Sequence, residues 1–309
     1  MSSGNRIHIP ELAIVEQQLE TVFAGLDLPQ THSMSSSWKD GIVLKIVNTL
    51  VYFCLLGSNI YTIALSDIYC TGKETYITPA PWAFLIWSLI QLLLLGTIIY
   101  QFTDNGKTVI IDSISWRFPL LGVLHIIYMN LWANCHYIPA FIVLLFVSTV
   151  VTQIYRIVKE HNAPPSSLRD DLLFLHLPFS LYHGWTYVLL VLSLFEAFGV
   201  DALTHTAGVW TKVFVFLNLF SLGVTAAVYA LWSPVGGDLP ASVAIVWSLQ
   251  AIFEHQTGSG FVHWSAFWFS ILPFPWVLIG AWGVAKGNWS LGGVRLDDAE
   301  RASLLGGGV

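Results

Sequence analysis

The chain has 309 residues, of which 55% are hydrophobic and 10% charged, with a mean hydropathy of +0.67 and a net charge of −6. Soluble domains carry about 25% charged residues, so most of this surface must face something other than water. That excludes a soluble globular domain and leaves no basic surface for a nucleic acid. About 20 apolar residues cross a bilayer as a helix, and eight such stretches occur, at 42–64, 80–102, 118–136, 139–158, 171–198, 208–232, 239–256 and 263–284. They predict an all-α, polytopic transmembrane bundle over residues 42–284. A cytosolic segment 1–41 precedes it and a flexible cytosolic tail 285–309 follows.

Residues 1–30 lack the basic, apolar and small-residue order of a signal peptide. Pro10–Leu26 carries Leu12, Ile14, Val15, Leu19, Val22 and Phe23 among polar residues, and reads as a short amphipathic helix or a frayed tail. After the first span, residues 65–79 hold Asp67, Cys70, Lys73 and Glu74 and form a loop long enough to act as a lid. Pro79-Ala-Pro-Trp-Ala-Phe-Leu-Ile-Trp87 then opens the second span. Proline is tolerated where the first helical N–H groups lack partners, and tryptophan favours the headgroup boundary.

Ala163-Pro-Pro-Ser-Ser167 and Ser233-Pro-Val-Gly-Gly-Asp238 punctuate later helices. With eight spans, Arg6, Lys39, Lys107, Arg117, Arg156, Lys159, Arg169, Lys286, Arg295 and Arg301 share one side of the membrane, which the positive-inside rule makes cytosolic. The other side receives Lys73 and Lys212, while Lys45 is expected to snorkel from the start of the first span. The sequon Asn288-Trp-Ser290 would then be cytosolic and bare. Cys54, Cys70 and Cys135 show no metal spacing and read as small core residues.

Four stretches carry a resemblance: PAPWAFLIWSLIQLLLLGTIIYQF (79–102), MNLWANCHY (129–137), LPFSLYHGWTYV (177–188) and IVWSLQAIFEH (245–255). Together, and in order, they resemble tryptophan-rich sensory proteins related to the TspO/MBR (translocator protein, peripheral benzodiazepine receptor) family, in a long multi-span version. The resemblance implies a five-helix core with additional C-terminal helices. It also implies an aromatic pocket beneath the loop between the first two helices, taking tetrapyrroles, sterols or similar flat ligands; haem or a porphyrin would be such a ligand. Trp82 and Trp87 match the family's second-helix aromatics, Asn130 and Trp132 its third-helix Asn and Trp, and Phe84 belongs to the same proline–tryptophan motif.

Polar residues inside spans usually face the bundle interior. His176, Ser180, His183 and Tyr187 recur at i, i+4, i+7 and i+11 on one stripe of the fifth span, and Pro178 and Gly184 predict a kink or a close helix approach there. The stripe reads either as the wall of a ligand cavity, with His183 facing Gln91 and Asn130 and able to ligate a tetrapyrrole iron, or as interhelical ties. The tie is favoured, and His125 is likewise expected to be a satisfied core residue. Asn134, His136, Glu196, Glu254, His255 and His263 gather at the non-cytosolic ends, as a metal or acid–base rim or as ordinary caps.

Of the tryptophans, Trp116, Trp210, Trp232, Trp264, Trp276, Trp282 and Trp289 suit an aromatic belt. Trp87, Trp185 and Trp247 lie deeper, as packing residues or as a slot for a flat ligand. Three functions compete. The first is a sensor, receptor or carrier binding a flat apolar ligand through Trp82, Phe84, Trp87, Gln91, Asn130, Trp132, His183 and Tyr187, with the lipid bilayer as partner and a homo-oligomer left open. The second is a membrane enzyme such as a terpene cyclase, for which Glu196, Glu254 or His183 would supply the acid. A transporter comes third, since no internal repeat is visible.

Overall fold

The computed structural model describes residues 41–64, 72–161, 168–231 and 238–285. Pro10–Leu26, Asp67, Cys70, Ala163–Ser167, Ser233–Gly237 and the tail with its sequon lie outside the described residues. Among the described residues, nine helices of twelve or more residues run in chain order: α1 Ile42–Ala64, α2 Leu85–Tyr100, α3 Arg117–Ala133, α4 Tyr137–Glu160, α5 Leu177–Phe198, α6 Val209–Leu231, α7 Leu239–His255, α8 Gly260–Ile271 and α9 Phe274–Ala285. Every one of the eight expected stretches overlaps one of these helices to within a few residues, and the last overlaps most of α8 and α9. Among the described residues six helical segments are long and apolar enough to cross a bilayer, and a seventh is added if Asp104–Ile114 and Arg117–Ala133, bent by 68°, count as one span. The remaining stretch holds α7, which has 17 residues.

Side-chain hydrogen bonds hold α1 to α2 at three levels. Asn48 donates to Gln101 at 3.1 Å, Tyr52 to the Gln91 carbonyl at 2.9 Å, and the Trp87 indole N–H to Asn59 at 3.0 Å. Lipid tails are as apolar as leucine, so helices in a bilayer gain specificity from such bonds and from close packing. Lys45 does not snorkel: it is 1% exposed, its ammonium 5.6 Å from the centre of the Phe102 ring.

The connection from α2 to α3 is itself structured, which the sequence reading did not anticipate. Asp104–Gly106 makes a helical turn capped by Thr103, and Lys107–Ile114 continues as a π-helix that buries Val109, Ile110 and Ile114 completely. Ser115, with φ of 54°, turns the chain into α3. At the far end of α3 the chain reverses in three residues. Cys135 adopts φ of 61° and the His136 N–H reaches back to the Leu131 carbonyl at 2.9 Å, satisfying a terminal acceptor of the helix.

The axis of the bundle is α5. Of the apolar stretch in Leu172–Phe198, 72% lies inside the protein, against 33% for Ile42–Tyr61, Tyr137–Glu160 and Val209–Leu231. Its composition explains the position: small or hydroxyl residues let neighbours close in. At Gly184 a Cβ would stand 2.5 Å from the Ala241 carbonyl, so α5 and α7 approach as closely as their backbones allow. By contrast α4 is one-sided, burying Leu144, Val147, Val151, Ile154 and Val158 at helical spacing and turning its other face outward. Helices α6 to α9 pack beside α5 through α7, whose Ala244, Ile245, Leu249, Ala251 and Ile252 are fully buried. Trp116, Trp210, Trp264 and Trp282 are exposed near helix ends.

Candidate functional site

Three polar assemblies lie along the bundle, and they differ in how completely their groups are paired. The first is aromatic and sits among α1, α2, α3 and α5. Trp87 stacks on His125 with ring centres 4.5 Å apart and planes 14° apart, and meets Tyr182 edge-on at 5.1 Å. The Tyr182 hydroxyl and His125 Nδ1 are 3.0 Å apart. One turn along α2 from Trp87 comes Gln91. It is buried, and neither atom of its side-chain amide has a hydrogen-bond partner among the described residues. A further turn on, Leu94 lines a small apolar cleft with Val51, Tyr52, Leu55, Phe118, Leu121, Gly122 and Tyr182. Phe84 completes the layer at the helix mouth, half in contact with the buried Trp185 at 5.8 Å and otherwise exposed.

The second assembly joins α4, α5, α6 and α7. Asp238, fully buried, caps α7 through the Ala241 N–H and accepts from the hydroxyls of Ser180 and Tyr155, while the Lys159 ammonium stands 3.2 Å away. Tyr155 also stacks on His183, with centres 4.3 Å and planes 9° apart. The tautomer of His183 follows from its neighbours. Thr152 has one hydroxyl hydrogen and gives it to the Ser148 carbonyl at 2.7 Å, so at 3.1 Å its oxygen accepts from His183 Nε2–H. Nδ1 is then the acceptor, and the Tyr229 hydroxyl donates to it at 2.6 Å. Both ring nitrogens are used, which fixes the tautomer of the neutral imidazole. Tyr187, one turn further on the same stripe, meets the Ser221 hydroxyl at 2.6 Å.

The third assembly is a strap. Residues 72–80 lie across the end of α7, where Gln256 Nε2 donates to the carbonyls of Thr75 and Thr78 at 3.0 and 2.8 Å, and the Ala80 N–H to the Ala251 carbonyl at 2.9 Å. Glu74 pairs with His255 at 2.8 Å, Trp82 donates to Glu254 at 2.9 Å, and Trp247 donates to the Ala83 carbonyl at 3.0 Å. Ile77 is fully buried beneath it. At the near end of the strap, Gly72 lies on Trp132, whose indole N–H donates to both oxygens of Glu196 at 3.0 and 2.9 Å.

The residues expected in one pocket are thus distributed over all three. Trp87 and Gln91 share the aromatic layer, with Phe84 at its edge. Trp82 belongs to the strap, Trp132 pairs with Glu196, and His183 and Tyr187 face α6. His183 meets Thr152 and Tyr229, not Gln91 and Asn130. Asn130 is exposed and its amide donates to the Ile126 carbonyl of its own helix at 2.9 Å. Nor do the non-cytosolic rim residues converge. Glu196 is on the strap's Gly72 side, Glu254 and His255 are at its α7 end, His263 stands 2.8 Å from the Phe253 carbonyl, and Asn134 and His136 are exposed on the α3–α4 turn. Among the described residues no three His, Cys, Asp or Glu side chains form a metal-binding group.

Two residues escaped the sequence reading. Asp238 was seen only as loop punctuation, although an Asp before Leu-Pro-Ala is a helix-cap signal. Tyr155, on the inner side of α4, gave no local signal, since its partner is 83 residues away. The reading of the cysteines as small core residues is also corrected: Cys54 is exposed and free, and Cys135 is disulfide-bonded.

No curated protein and no solved structure matches the chain. A family model does: that of the TSPO-like proteins aligns with residues 42–279, from the start of α1 into α9. The match spans the aromatic layer, the Asp238 assembly and the strap alike, and the chain belongs to the TSPO-like protein family.

Proposed function

We propose that this membrane protein binds a flat apolar small molecule, of the tetrapyrrole, sterol or isoprenoid kind, in the aromatic layer among α1, α2, α3 and α5, and acts as a sensor, receptor or carrier. The observation that carries this reading is Gln91. An amide buried in an apolar interior without a partner costs about 1–3 kcal/mol, and an unused donor and acceptor beside stacked aromatic rings is what a ligand with one polar edge needs. Trp87 and His125 supply a flat face, Tyr182 closes the layer, and Phe84 marks the side open to the bilayer.

Titration of purified protein with protoporphyrin and with cholesterol, followed by tryptophan quenching, tests it. A saturable response that Trp87→Ala weakens about tenfold, at on the order of 1 kcal/mol or more for a lost aromatic stack, is expected. Wild-type protein that binds neither ligand, or a folded Trp87→Ala variant that binds both as well as wild type, contradicts it.

We also infer the orientation. Disulfides persist in oxidising compartments, so the α3–α4 turn carrying Cys135 faces the lumen or exterior. Lys107, Arg117, Arg156 and Lys159 cluster at the opposite helix ends, as the positive-inside rule requires of a cytosolic face. With α7 counted as a crossing beside the seven apolar segments, eight passes place both termini in the cytosol. In sealed vesicles, cysteines introduced at Lys73 and Pro165 should react with an impermeant reagent from opposite sides, and reaction from one side contradicts this topology.

A further inference from the structure

Three helices carry matching stripes around Gln91. Trp87, Gln91 and Leu94 recur at i, i+4 and i+7 on α2. Asn59, Leu55 and Tyr52 repeat those intervals in reverse on α1, as do His125, Leu121 and Phe118 on α3. Contacts fix the levels. At one end Trp87 donates to Asn59 at 3.0 Å and stacks on His125. In the middle the Tyr52 hydroxyl donates to the Gln91 carbonyl at 2.9 Å. At the other end Leu94, Leu55, Tyr52, Phe118 and Leu121 line the apolar cleft. Along α2 the site therefore runs from a half-buried aromatic plane, through an amide with no side-chain partner among the described residues, to an apolar recess. None of these residues is Asp, Glu, Lys or Arg, so an ionised ligand group would enter the interior unmatched. The recess holds about 270 Å³ with its open side counted, less than the ~300–1,000 Å³ of a pocket that encloses a drug-sized molecule. That is room for one branched hydrocarbon arm, and too little for a macrocycle or the fused rings of a sterol.

From this order of subsites we propose that the ligand is a prenylated phenol. Its ring lies against Trp87, its hydroxyl pairs with Gln91, and its isoprenoid arm fills the cleft. The proposal rests on the reading of the Gln91 layer as a ligand site and narrows it to one chemical class. A phenol hydroxyl donates one hydrogen and accepts another, so it engages Oε1 and Nε2 of one amide together. A ketone or an ether offers an acceptor alone and leaves Oε1 unused. A carboxylate does the same and adds a charge that nothing in the stripes offsets. An arm next to the hydroxyl on the ring then points along α2 from Gln91 toward Leu94, the direction in which the cleft lies.

The test is equilibrium dialysis of radiolabelled 2-geranylphenol against the protein in discs of zwitterionic lipid, with its methyl ether as the control that cannot donate and empty discs as background. The phenol should bind saturably and roughly tenfold tighter than the ether. Gln91→Leu should erase that preference. Val51→Phe, at a part-exposed wall of the cleft, should weaken phenol and ether alike by obstructing the arm. The proposal is overturned if wild type shows no saturable phenol binding, if it binds the ether equally well, or if either folded variant behaves as wild type. Should both variants fail to fold, equal wild-type affinity for phenol and ether overturns it alone. Protoporphyrin and cholesterol in the same discs separate the two readings. If either binds saturably through Trp87 while 2-geranylphenol does not, the prenylated phenol is wrong and the flat-ligand site stands; if none of the three binds, both readings fall.

Discussion

The Asp238 assembly and the aromatic layer around Gln91 both place polar groups inside an apolar bundle, and they resolve the cost in opposite ways. Around Asp238 each carboxylate oxygen is bonded and His183 is held in a single tautomer between Tyr229 and Thr152. Around Gln91 the rings are stacked and tied, yet the amide at their edge is left with unused donors and acceptors. A saturated network fixes how helices pack and has no capacity left for a ligand. An unsaturated one gives up stability and keeps a place for something else. That contrast separates the assembly that holds this bundle together from the layer in which we propose that a ligand binds.

Removal of Asp238 should have the largest effect. Asp238→Ala removes the shared acceptor of the Tyr155 and Ser180 hydroxyls and the buried partner of Lys159, a loss of about 3–5 kcal/mol by analogy with other broken buried pairs. Thermal unfolding in detergent should show a large drop in midpoint, and an unchanged midpoint would mean that the assembly is not structural. His183 comes next. His183→Leu abandons Tyr229 and Thr152 and should cost about 1–3 kcal/mol, whereas His183→Asn, able to donate and accept, should lose less. Equal losses in a denaturation series would argue against the tautomer assigned from Thr152. The strap pair is the smallest. Glu74 and His255 are both about a third exposed, and such pairs contribute ~0–1 kcal/mol. Glu74→Gln should therefore shift the midpoint barely, and a larger shift would mark the strap as a main support of α7.

Much of this fold is legible in the chain because bilayer-crossing helices must satisfy their own backbone and show a lipid-facing surface, leaving long apolar runs. The runs at 42–64, 139–158 and 208–232 coincide with α1, α4 and α6 to within a few residues. The segment 104–114 escaped because its buried residues, Val109, Ile110 and Ile114, follow a π-helical turn and sit among Asp, Asn and Lys that look like a solvated loop. Side-chain placement was legible only where helical spacing decides it. The stripe Ser180, His183 and Tyr187 does face one direction, toward α6 and α7, but which helix would meet it depends on packing. Asn130 shows the limit from the other side: its position in a motif suggested an anchor, while its place on the α3 surface turns its amide back to its own helix.

Gln91→Leu tests the contrast most directly, because stability and binding should move in opposite directions. Leucine fills similar space without an unpaired amide, so the unfolding midpoint should hold or rise, by up to the ~1–3 kcal/mol that an unsatisfied buried amide costs. Protoporphyrin or sterol affinity should fall in the same preparation. A variant that loses stability while binding its ligand as wild type does would show that Gln91 is a structural tie, and that the aromatic layer is core rather than site.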